Sequence, residues 1–126
     1  MSRAMVVTVL ARYEGVDTSG GGTWYEGNRD WAMQAGISDG SDMERDLTRE
    51  QLAAMLWRYA DRPDPVGTLT GYTDASAVSD YAADAMTWVV ENRIIVGTSE
   101  TTLAPQSVVT RGQVATMLMR FISTNV

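Results

Sequence analysis

The chain has 126 residues, enough for one compact domain burying roughly two thirds of its unfolded surface, and its 44% hydrophobic and 21% charged residues exclude a disordered tail or a fibrous repeat. Cys, His and Lys are all absent, which excludes disulfides, Cys-ligated zinc, thiol nucleophiles, imidazole bases and side-chain Schiff bases; an enzyme here would have to run on carboxylates alone. Ten Arg stand against sixteen Asp and Glu, a net charge of −6 with no basic run, which argues against a nucleic-acid partner.

The first ten residues lack the charged region, apolar block and cleavage site of a signal peptide, and no apolar stretch is long enough for membrane insertion. The opening stretch reads instead as a helix beginning after Ser2, with Val6, Val9, Leu10 and Tyr13 along one face. A glycine run at 20–22 marks a loop, and a helix of a second type is predicted over 25–35, ended by Gly36. An acidic loop carrying Asp39, Asp42, Glu44 and Asp46 follows. It lacks the ligand order of a calcium loop and reads as solvated surface, so no metal and no cofactor is expected. Thr48 with Gln51 forms a capping-box pattern opening a helix striped by Leu52, Met55, Leu56 and Tyr59. Pro63, Pro65, Gly67 and Gly71 make a connector, the second helix type returns over 81–92 before the β-branched run Ile94, Ile95, Val96, and Thr110 with Gln113 opens a last helix striped by Val114, Met117, Leu118 and Phe121. Short β-bridges near Val16 and Tyr72 are permitted but not required. Three matched stripes, each buried Leu, Met or Phe contributing about 1.5 to 3 kcal/mol, predict that the three helices meet along one axis.

These elements repeat. Asp17, Trp24, Trp31, Ile37 and Gly40 recur with one spacing as Asp74, Tyr81, Trp88, Ile94 and Gly97. Thr48, Arg49, Gln51, Met55, Leu56, Arg58 and Tyr59 recur as Thr110, Arg111, Gln113, Met117, Leu118, Arg120 and Phe121, and Ser2, Arg3, Met5, Val9, Leu10, Arg12 and Tyr13 precede them in the same register. The sequence thus divides into the tail of a first repeat (1–15), a second repeat (16–62), a linker (63–71) and a third repeat (72–126), within one domain.

The pattern Tyr72, Thr73, Asp74, Tyr81, Trp88, Ile94, Gly97, Leu103, Pro105, Val109, Thr110, Arg111, Gly112, Gln113 resembles a surface-layer homology repeat of bacterial cell-surface proteins, and the stretch from Asp17 to Gln51 resembles another. The resemblance implies an all-α fold in which tandem helix-loop-helix repeats form a pseudo-threefold bundle, here with one outer helix missing. It implies a non-enzymatic module that anchors a surface protein without covalent linkage, by binding secondary cell-wall polysaccharide that often carries a pyruvylated sugar. A cell-surface, cell-wall or S-layer location follows from it. The rival on the same scaffold is a protein-interaction module, self-associating through the incomplete first repeat.

Arg3, Arg49 and Arg111 each follow an N-cap directly, where the positive end of the helix disfavours a cation. An anion there would meet a guanidinium fork and free backbone N–H groups together; the alternative is a salt bridge, with Glu50 as a local candidate for Arg49. Trp31 and Trp88 offer flat faces for a sugar ring or volume for the core, and Gly40 and Gly97 a left-handed turn or close approach to a ligand. Asn28 and Arg29, standing where the later copy has Ala85 and Met86, predict that their helix buries less. Asp80, Asp84 and Glu91 show the spacing of ordinary surface rather than of a hydrolytic pair.

Overall fold

The structure, a computed structural model, describes residues 2–15, 26–94 and 102–124. The predicted features at Val16, Asp17, 20–22, Trp24, Tyr25, Ile95, Val96 and Gly97 lie outside the described residues. Five α-helices are described: α1 (Arg3–Tyr13), α2 (Glu26–Gln34), α3 (Arg49–Tyr59), α4 (Ala83–Glu91) and α5 (Arg111–Thr124), with 3-10 turns at Ala75–Ala77 and Asp80–Ala82. Extended pairing among the described residues is confined to two bridges, Ser2 with Asp46 and Thr48 with Val108. Tyr72 takes part in neither.

Contacts divide the chain into two compact units, Met1–Leu47 and Thr48–Val126. This boundary falls at the N-cap of α3 and not in the proline-containing connector. The cause is a hydrogen-bond pattern that occurs once in each unit. In the first, the N–H groups of Arg3 and Ala4, left without intrahelical partners at the start of α1, donate to the carbonyls of Arg45 (3.0 Å) and Met43 (2.8 Å). In the second, Arg49 and Glu50 at the start of α3 donate to Ser107 (2.9 Å) and Pro105 (3.0 Å). Each helix start is therefore closed by the loop of the following sequence repeat, and the packing units are displaced from the sequence repeats by half a period.

In the first unit α1 packs on α2. Val6 and Leu10 of the predicted stripe are buried with Ala4, Val7 and Ala11, whereas Val9 and Tyr13 are 38% and 50% exposed. As expected, α2 buries less than α4: Asn28 and Ala32 are buried and Arg29 is half-buried, against Ala85, Met86, Trp88 and Val89 in α4, although Asn28 itself is drawn inside. It is 5% exposed, and its amide donates to Thr8 Oγ1 (3.0 Å), which in turn donates to the Ala4 carbonyl (2.8 Å). α2 ends at Gly36, whose φ of +74° lets Ile37 N–H return to the Ala32 carbonyl and turns Ile37 into the core.

In the second unit α3 packs on α4. Phe121 of α5 is buried with its ring edge-on to Tyr59 (5.7 Å between centroids) and to Trp88 (6.3 Å). The end of α4 differs from expectation. Arg93, and not the β-branched run, stops the helix by adopting φ +59°, so that Ile94 N–H returns to Val89 and Ile94 is buried, as Ile37 is after Gly36. The connector is fastened at two points: Trp57 Nε1 donates to the Pro63 carbonyl (2.8 Å), and the Glu91 carboxylate accepts from Val66 and Gly67 N–H (3.0 and 2.7 Å).

Candidate functional site

All three arginines occupy the first position of their helices as the sequence predicts, and Ser2, Thr48 and Thr110 accept from the third backbone N–H, Met5, Gln51 and Gln113 respectively. Their surroundings differ. Arg3 is half-buried and its Nη1 donates to the Ser41 carbonyl (3.1 Å). Nearby Asp39 is held below the usual carboxylate range, chiefly by the Ser41 hydroxyl and N–H, with a smaller pull from the Arg3 charge. The backbone donors of α1 are already met by Arg45 and Met43.

Arg49 departs furthest from an anion receptor. It is 4% exposed, and its Nε donates to the Leu103 carbonyl (2.7 Å). Burial lowers its pKa, and the charge of Asp74 opposes that shift. Asp74 in turn accepts from Leu103 N–H (2.9 Å) and Ala104 N–H (2.8 Å), bonds that together with Arg49 hold its carboxyl below the usual range. Glu50, proposed as the salt-bridge partner of Arg49, is instead bonded to Ser79 through its N–H (2.8 Å) and hydroxyl (2.9 Å), and to the Gln106 amide. The expectation that Arg49 receives an external anion is corrected. Loop carbonyls take the donors that such an anion would need, because the following repeat folds back over the helix start.

Sequence reasoning missed Asp74, Ser79, Glu50 and Gln106 as a structural knot. Asp74 was visible as a repeated position and within the family-like pattern, but nothing in its spacing showed that its carboxylate would reach a backbone some thirty residues on.

The start of α5 is open. Thr110 and Gln113 close their capping box (3.0 and 3.2 Å), yet the N–H groups of Arg111 and Gly112 meet no acceptor among the described residues, and the exposed Arg111 side chain has no partner there. A methyl group at Gly112 would touch nothing within 4 Å. One exposed guanidinium and two backbone donors at this helix start thus have no acceptor among the described residues, groups of the kind that bind an oxyanion at a helix N-terminus.

Trp88 is corrected as a stacking candidate: it is 7% exposed and its ring is spent on Phe121. Trp31 is half-buried on α2. Gly40 has φ +81°, a left-handed turn that favours glycine; a Cβ there would meet only the flexible end of the exposed Met33 side chain, which can give way. Gly97 lies outside the described residues. Asp39, Asp42, Glu44 and Asp46 are exposed, and no group of His, Cys, Asp and Glu among the described residues is placed to hold a metal ion. No described helix is long and apolar enough to cross a membrane.

Thr110 and Arg111, with Asp74 and the loop backbone of Leu103 and Ala104 that it holds, fall within one recognisable stretch. Residues 71–115 match the S-layer homology domain. S-layer homology domains generally mediate anchoring to the bacterial cell wall. The matched stretch contains Asp74, Ser79 and Gln106 but not Glu50, together with α4 and the first turn of α5 with Arg111. No curated protein matches the chain.

Proposed function

We propose that the chain is a non-catalytic cell-wall anchor that binds acidic secondary wall polysaccharide, with the start of α5 receiving a carboxylate such as that of a pyruvylated sugar. The observation that carries this reading is the open set of donors at Arg111 and Gly112, inside the stretch that matches the S-layer homology domain. A carboxylate there would gain a charge-assisted fork from Arg111 and would satisfy two N–H groups otherwise left to water. Arg3 offers a weaker second contact, since its fork already holds the Ser41 carbonyl. In this reading α1, α3 and α5 are the like helices of a pseudo-threefold bundle, and the parent protein resides at the cell surface.

Co-sedimentation with purified wall glycan tests the proposal. Retention on intact wall, lost on chemical removal of the polysaccharide and reduced in Arg111→Ala, is expected; equal retention on stripped peptidoglycan overturns it. A second reading is favoured by the exposure of Val9 and Tyr13 on α1, an apolar pair suited to self-association. A concentration-dependent dimer in sedimentation, lost in Val9→Ser/Tyr13→Ser and indifferent to glycan, is the result that selects it.

A further inference from the structure

We infer a second oxyanion site, separate from the start of α5, in the cleft where Arg93 meets the C-terminal half of α5. The cleft is a shallow hollow open to solvent, about 370 Å³, lined by Asn92, Arg93, Met119, Arg120 and Ser123. In a chain of net charge −6, two of these five residues are arginines and none is acidic. Arg120 has an interaction of its own, and the exposed charge of Arg93 is the one that favours an anion there.

The polar groups around the arginines are largely committed elsewhere. Asn92 Nδ2 donates to the Trp88 carbonyl (2.9 Å) and Ser123 Oγ to the Met119 carbonyl (3.0 Å). Arg93 is exposed, and its guanidinium makes no hydrogen bond or ion pair with any described residue. Its backbone is held at φ +59°, a conformation that costs an L-residue free energy and that the earlier repeat assigns to Gly36 at +74°. Glycine would end α4 equally well, so the side chain is what arginine adds at this position. Beside it Met119 is 65% exposed, an apolar surface within reach of the same ligand. The pairing of guanidinium with thioether suits a compact organic oxyanion, a carboxylate or a phosphate joined directly to an apolar group. Arg120 lies nine residues beyond Arg111 on α5, roughly 13 Å along the axis, so the two sites have separate arginines.

Amide chemical-shift titration of the full isotope-labelled chain tests this, with pyruvate, methyl phosphate and neutral acetamide as probes. Saturable shifts at Arg93 and Met119 are expected with pyruvate or methyl phosphate, whichever source of oxyanion the cleft accepts, and none with acetamide. Arg93→Gly should weaken that binding about tenfold while leaving the melting temperature unchanged or higher. Arg111→Ala should leave the cleft's binding intact, so failure of the α5-start reading and failure of this one are distinguishable. Shifts that do not saturate, that acetamide reproduces, that persist in Arg93→Gly, or that vanish in Arg111→Ala overturn the inference.

Discussion

Truncating Arg49 to alanine strands the Leu103 carbonyl and removes the positive charge beside the Asp74 carboxylate, both at a site closed over by the loop that Arg49 holds. Arg49→Ala is therefore expected to lower stability by about 2 to 3 kcal/mol, read as a shift of the urea midpoint. Arg111, with no partner among the described residues, should tolerate the same change within about 0.5 kcal/mol and lose glycan retention instead. On the proposed function, identical residues at identical helix positions separate into a structural role for buried Arg49 and a binding role for exposed Arg111. Asp74 adds a pH signature. Its carboxyl is depressed in the folded chain by the N–H groups of Leu103 and Ala104, so the ionised form binds the loop better than the protonated form does. The stabilisation is complete above the ordinary carboxylate range and is lost as pH falls through the depressed folded value. Asp74→Asn should flatten the decline in melting temperature on acidification below about pH 4.

At the scale of elements, the capping boxes and apolar stripes were legible in the sequence because each depends on neighbours only three or four residues away. Thr48→Ala should cost about 1 kcal/mol, since Thr48 Oγ1 satisfies the Gln51 N–H at the head of a helix whose following residues are buried. The end of α4 was not legible, because an arginine at φ +59° carries no local signature of the kind that glycine gives at Gly36. The burial of Asn28 was not legible either: α1 supplies Thr8 as acceptor for its amide N–H, while its Oδ1 is buried without a hydrogen-bond partner among the described residues. Trp88 and Trp31, equivalent in the repeat, differ in burial because Phe121 covers one of them.

For the whole molecule, the half-period displacement between sequence repeats and compact units makes a direct prediction. A fragment covering Thr48–Val126 keeps α3 with the loop that closes it and should melt cooperatively by circular dichroism. A fragment starting after the connector keeps the third sequence repeat whole but removes α3. It strips Leu103 of its arginine and α4 of its packing partner, and it should show a broad, non-cooperative loss of helix.

The amino-acid order by itself determined the helical class, the helix starts, the apolar stripes and the placement of three arginines at equivalent first positions, since all of these follow from short-range periodicity and capping. Only the tertiary structure decided which of those arginines faces solvent. That depends on whether a loop from the next repeat returns its carbonyls to the helix start: those of Arg45 and Met43 do so at α1, those of Ser107 and Pro105 at α3, and at α5 no described residue does. A contact between groups tens of residues apart is set by how the repeats fold back on one another, and no local pattern encodes it.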